Sequence, residues 1–178
     1  MLRALTFLSL FLSLASIRPA LGAEPPATPD APADHQGSRQ VVAASEDGSF
    51  LLHARDASVH GSTVRYEPAP HKNTVGYWTK LEDWVSWEFE VTKPGTYEVE
   101  VLQGCGTGSG GAEVEISAGG KSLSFIVDDT GGFQNFVPRK IGVLTLPAGR
   151  QTITVKPKTK PGMAVMDLRQ IVLRPAAN

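Results

Sequence analysis

Trp87-Glu88-Phe89-Glu90-Val91-Thr92-Lys93-Pro94-Gly95-Thr96-Tyr97-Glu98-Val99-Glu100-Val101 contains two runs of strict apolar–acidic alternation around a Pro-Gly pair. A period of two puts Trp87, Phe89 and Val91 on one face and Glu88 and Glu90 on the other. Tyr97, Val99 and Val101 oppose Glu98 and Glu100 in the same way. The stretch therefore predicts two half-buried strands joined by a turn. The pattern recurs at Val114-Ile116, Leu123-Phe125-Val127, Leu144-Leu146, Ile153-Val155 and Ile171-Leu173. Gly119-Gly120, Ala148-Gly149 and Pro161-Gly162 mark further turns. Spacings of roughly ten residues between turns favour a sandwich or barrel. The fold expected is all-β, an antiparallel β-sandwich over residues 47–176.

What precedes that domain reads differently. Arg3 gives a positive start, Leu5 to Ile17 is a short apolar run, and Ala20, Gly22 and Ala23 offer a cleavage site. Residues 1–23 are thus expected to be a signal peptide, too short and wrongly flanked to span a membrane. Residues 24–46, rich in Pro and Ala, cannot bury enough apolar surface to offset their ordering entropy and read as a flexible linker. The expected location is secreted or periplasmic. A formal net charge of −1 over 178 residues offers no electrostatic case for nucleic acid. Cys105 is the single cysteine, which excludes an internal disulfide. It reads as a small, partly buried residue without special chemistry.

No catalytic constellation emerges. Gly106-Thr107-Gly108-Ser109-Gly110-Gly111 matches G-x-G-x-x-G, but a strand pattern follows where a dinucleotide site needs a helix. Asp128 and Asp129 are adjacent on a strand end and point to opposite faces, a poor geometry for a shared site. They read as solvated, and Glu82 and Asp83 read the same way. His35, His53, His60 and His71 lack metal-ligand spacing, and no Ser has a nucleophile-elbow setting. Lys156, Lys158 and Lys160 share one face if their strand continues. They either attract an anionic polysaccharide or guard a strand edge against aggregation. The remaining rings are the notable feature. Tyr77, Trp78, Phe133 and Phe136 sit in or beside loops, where a ring can stack on a sugar while Gln134 and Asn135 read its hydroxyls. Trp78 and Phe136 read equally as plugs of the sandwich end.

Five segments occur in an order with a known counterpart: Val75-Gly76-Tyr77, Asp83-Trp84-Val85-Ser86-Trp87, Pro94-Gly95-Thr96-Tyr97, Thr130-Gly131-Gly132-Phe133-Gln134-Asn135-Phe136 and Leu146-Pro147-Ala148-Gly149. In this order the chain from Leu51 to Leu173 resembles the family 6 carbohydrate-binding modules and their relatives with a galactose-binding-like jelly roll. It also resembles modules found beside secreted fucosidases and sulfatases. The resemblance implies a polysaccharide or glycan ligand, no catalysis, and as a further partner a secreted glycan-degrading enzyme. It implies a loop-end cleft with Tyr77 and Phe133 as stacking rings and Asn135, Gln134 and Trp78 as helpers. Phe133 stands where the family usually has Trp, and Val165 where it has a sugar-binding Asn. The family's calcium-binding E-x-E falls on His53 and Arg55, with the partner Asp retained as Asp167. A guanidinium there would repel calcium. The expectation is therefore no cofactor and no metal, with an Arg55–Asp167 salt bridge in calcium's place. The alternatives are a structural or protein-interaction module with a degenerate cleft, and a glycoside or sulfate-ester hydrolase.

Overall fold

The structure, a computed structural model, describes residues 40–177. The expected signal peptide and residues 24–39 of the expected linker lie outside the described residues. Eleven strands follow one another: β1 (Phe50–His53), β2 (Ser58–His60), β3 (Arg65–Glu67), β4 (Thr74–Gly76), β5 (Trp84–Val91), β6 (Gly95–Cys105), β7 (Glu113–Ala118), β8 (Lys121–Ile126), β9 (Gly132–Leu146), β10 (Gly149–Pro157) and β11 (Asp167–Pro175). One sheet has the order β3-β4-β11-β6-β9, with β1 also paired to β11. The second has the order β2-β5-β10-β7-β8. All strand pairs are antiparallel, so the expected antiparallel β-sandwich is what forms.

The alternation of the opening stretch has a direct structural meaning. Val85, Trp87, Phe89 and Val91 of β5 are buried, as are Tyr97, Val99 and Val101 of β6. The Pro94-Gly95 turn nevertheless does not make a hairpin. β5 and β6 belong to different sheets, and the turn carries the chain across the core from one to the other. Both strands point their apolar face inward because each sheet buries one face against the other. Phe50 packs edge-on to Phe89 at 5.0 Å and lies 5.8 Å from Tyr97, so rings from both sheets interlock. Trp87 Nε1 donates to the carbonyl of His53 at 2.8 Å, a hydrogen bond that crosses between the sheets.

Three expectations are corrected here. Val42, placed in the linker, forms a parallel bridge with Phe89 and exchanges backbone bonds with Glu88 and Glu90. Residues 42–46 thus join the domain, because Val42 and Ala44 pack on its core. Phe133 to Phe136 are not a loop; they open the long strand β9, whose first residue Gly132 pairs with Cys105. Asp83 is not solvated at all. It is fully buried and accepts hydrogen bonds from the Ser62, Thr63 and Val64 N–H groups and the Thr63 hydroxyl, at 2.6–3.0 Å. Burial alone would raise its carboxyl pKa. The Thr63 hydroxyl and the N–H groups of Val64, Ser62 and Thr63 outweigh that and hold it below its ordinary range. The segment 61–64 has no strand partner there, so a carboxylate takes up N–H groups that a sheet would otherwise satisfy.

The basic and sulfur-bearing side chains seen in the sequence are locally engaged. Lys156 Nζ lies over the Trp84 ring at 4.5 Å, Lys158 pairs with Glu115 at 2.8 Å, and Lys160 donates to the Gly162 and Met163 carbonyls. Cys105 is buried, and burial first, with Asp129 and Asp167 adding to it, pushes its thiol up to about 11.

Two outcomes follow. Asp83→Ala leaves those donors unsatisfied and should cost about 3 kcal/mol, read as a lower urea midpoint with unchanged slope; a midpoint within error of the parent would refute the role assigned to Asp83. Cys105 should stay silent to a thiol reagent at pH 8 and titrate fully once the chain is unfolded.

Candidate functional site

Glu67 ends β3, Tyr77 follows β4, Phe133 and Gln134 begin β9, and Asp167 begins β11. These ends meet at one rim of the sandwich and surround a cleft of about 220 Å³. Tyr77, Phe133 and Met163 give it apolar walls, and Glu67, Lys72, Gln134 and Asp167 line it with polar groups, beside Ala164.

The local sequence explains how Tyr77 gets there. Gly76 and Trp78 on either side of it are buried, Trp78 fully, and Tyr77 adopts a left-handed backbone with φ of 54°. Such a conformation is strained for a residue with a Cβ and persists only where surroundings hold it. Here Trp78 does the holding. Its indole N–H donates to the Asp83 carbonyl at 2.9 Å, and its own carbonyl accepts the Val165 N–H at 2.8 Å. With its neighbours fixed inside, Tyr77 turns outward and is 49% exposed. The Arg65 guanidinium, one strand over, stacks on its ring at 3.4 Å, and the Lys72 ammonium lies 5.7 Å from the ring centre. Across the cleft, the Phe133 ring packs against Gly106. A side chain at that glycine would come within 2.5 Å of the ring, so the close approach needs Gly.

Of the residues named from sequence, the structure brings Tyr77, Phe133, Gln134 and Asp167 together. Trp78 is corrected: it is a core residue without an exposed face. Asn135 is outside the lining, because its amide is tied to the Thr130 carbonyl. Phe136 is covered by the Arg169 guanidinium at 3.6 Å. The Arg55–Asp167 salt bridge is corrected as well. The chain makes a single 3₁₀ turn at Ala54–Asp56, and Arg55 pairs at 3.6 Å with exposed geometry to Asp56. His53 Nδ1 accepts the Arg55 backbone N–H. First and last strands are tied by backbone pairing instead, His53 opposite Gln170, and Asp167 lies further along at the cleft. His53 and Arg55 do not fit a calcium ion, which asks for roughly six to eight oxygens. Among the described residues no group of three or more His, Cys, Asp or Glu is placed to hold a metal.

Glu67, Lys72 and Met163 carried no signal in the sequence, since they sit outside every strand pattern or motif read there. Glu67 Oε1 is 2.7 Å from Lys72 Nζ. Its other oxygen and one oxygen of Asp167 converge over Gly76, where a Cβ would lie 2.5 and 2.8 Å from them. Asp167 is 4% exposed and receives a long hydrogen bond, 3.4 Å, from Gln134. Burial first, and the Glu67 carboxylate next, push its carboxyl up to about 7; Gln134, Lys72 and Arg169 oppose the shift without cancelling it.

Solved structures similar to this one in fold include a family 35 carbohydrate-binding module from Clostridium thermocellum, with a TM-score of 0.58 and 17% identity over 72% of this chain and 98% of that one. The carbohydrate-binding module CBM6cm-2 of Cellvibrio mixtus lichenase 5A, solved in complex with cellotriose, scores 0.56 with 20% identity over 71% and 97%. A GH26-CBM35 β-(1,4)-mannanase from Podospora anserina scores 0.56 at 16% identity, covering 75% of this chain; this chain spans only 29% of that protein. At these identities the likeness is one of fold. The chain thus resembles the family 6 and family 35 modules as a jelly-roll sandwich, and the modules are matched nearly whole while the enzymes are matched in part. No protein-family model matches the sequence, and no curated protein matches it either.

The elevated Asp167 carboxyl sets a pH dependence. From about pH 4, where an unfolded Asp titrates, up to about 7, the unfolded chain releases a proton that the folded chain keeps. Stability therefore falls as pH rises through that window. Asp167→Asn should flatten the fall and raise Tm at pH 8 by about 4 °C, measured by thermal melts across pH. A variant that melts lower than the parent at pH 8 would contradict this.

Proposed function

We propose that this chain is an exported, non-catalytic module that binds a polysaccharide by stacking sugar faces on Tyr77 and Phe133. The observation that carries this reading is that two rings from distant parts of the chain wall one cleft, with carboxylate and amide groups between them. Flat apolar faces flanked by hydrogen-bonding groups suit a pyranose, whose axial C–H face is apolar and whose rim carries hydroxyls. The fold likeness to carbohydrate-binding modules supports the same reading. The apolar run at residues 5–17 supports export to the cell exterior or periplasm, where a glycan-degrading enzyme acts as partner. Calcium has no part in this function.

With one half-exposed ring and a half-buried second ring, affinity of about 1 mM to 10 µM is expected, roughly −4 to −7 kcal/mol. On a glycan array followed by calorimetry, Tyr77→Ala and Phe133→Ala should each weaken the best ligand by about tenfold or more, equivalent to about 1.4 kcal/mol. Binding that survives both substitutions would place the ligand elsewhere. An array without any bound glycan would favour a protein-interaction role, and turnover of chromogenic glycosides or sulfate esters would revive a hydrolase.

A further inference from the structure

The turn between β10 and β11 has a feature that two stacking rings do not account for. Met163 stands on it at 78% exposure, the most exposed large apolar side chain among the described residues. It is not an isolated surface residue, since it walls the cleft together with Tyr77 and Phe133. A methionine on a loose turn would sample many positions, yet this turn is fastened on both sides of Met163. Lys160 Nζ donates to the Gly162 carbonyl at 2.8 Å and to the Met163 carbonyl at 3.3 Å. Gly162 sits on the backbone of buried Ser109, where a Cβ would come within 2.5 Å of the Ser109 Cα. Beyond Met163, the Val165 N–H donates to the Trp78 carbonyl at 2.8 Å.

The glycine-rich segment 106–111 gains a role here. Gly106 abuts the Phe133 ring, the Ser109 N–H closes a tight turn onto the Gly106 carbonyl at 2.9 Å, and Ser109 seats the Met163 turn. Trp78 in the same way links Val165 to its own neighbour Tyr77. The three apolar walls are thus set relative to one another by backbone contacts, while the Met163 side chain keeps its own torsional freedom. Ring faces stack on the C–H face of most pyranoses and discriminate little among them. An unbranched thioether conforms to the outline of what it covers. A hydroxyl pressed against it loses water without gaining a partner, so the wall rewards some sugar outlines over others. Resting on the carbohydrate reading above, we infer that Met163 is the third contact of the cleft and the residue that selects among glycans, with Lys160 as its positioning residue.

The test uses a panel of immobilised oligosaccharides of glucose, mannose, galactose and xylose, with calorimetry on those that the parent protein binds. Met163→Ala should weaken binding about fivefold and change the ranking of the panel, whereas Tyr77→Ala should weaken its members alike. Lys160→Ala should reproduce most of that loss, Lys160→Arg should restore binding, and Met163→Ala added to Lys160→Ala should cost little more. Dilute hydrogen peroxide probes the same wall without a substitution. One oxygen passes from the peroxide to the thioether sulfur, which is oxidised to the sulfoxide as the peroxide is reduced to water. Peptide mass mapping should find the sulfoxide at exposed Met163 and not at buried Met166. A bound oligosaccharide should slow that oxidation, and the oxidised protein should bind about fivefold more weakly. Met163→Leu should bind equally before and after peroxide. Unchanged affinity and ranking in Met163→Ala, or an oxidation that neither weakens binding nor is slowed by bound sugar, overturns the inference. Parent-like binding by Lys160→Ala removes the role given to Lys160. If the panel binds through Tyr77 and Phe133 regardless of Met163, this inference falls and the carbohydrate reading stands. If no member binds, both fall.

Discussion

The buried Trp78–Asp83 knot is the constraint on which the functional end of this protein depends. The Trp78 indole donates to the Asp83 backbone, and the Asp83 carboxylate gathers the N–H groups of residues 62–64. One short segment thereby fixes two loops at once. A buried indole of this kind removes roughly 150–250 Å² from water, about 4–6 kcal/mol as an upper estimate at about 25 cal/mol/Å². That is enough to hold the neighbouring Tyr77 in a left-handed backbone costing of order 1–3 kcal/mol. Exposure of Tyr77 is thus a consequence of the burial of Trp78.

The rest of the cleft is assembled by strand ends. β3, β4, β9 and β11 are adjacent or near-adjacent in one sheet, and their termini bring Glu67, Tyr77, Phe133 and Asp167 to the same rim. Two glycines make the approach possible, Gly76 beneath the carboxylates and Gly106 beneath the Phe133 ring. The scaffold is rigid where the site is, because these side chains stand on paired strands or beside a locked indole. Rings supplied in this way lose little freedom on binding.

Some of the site was legible before the fold was known and some was not. Tyr77 and Phe133 stood out as rings that strand alternation did not absorb, and both reach the cleft. Trp78 carried the same signal and went the other way, since nothing local distinguishes a ring that plugs the core from its neighbour that leaves it. Arg55 and Asp167 looked like partners through the first and last strands. The strands do pair, but in a register that sets Asp167 beyond the reach of Arg55. Glu67 was invisible because its role depends on Asp167, a residue far away in the chain.

The amino-acid order by itself determined the strand class, the inward face of each strand and most of the core, because alternation at a period of two is a local property of an extended chain. It also determined the turns. Which strands became neighbours, which of two adjacent rings was buried, and which carboxylates met over a glycine were decided only by the packed sandwich. Those outcomes arise from contacts between distant segments, whose energies depend on register and burial and leave no periodic trace in either segment alone.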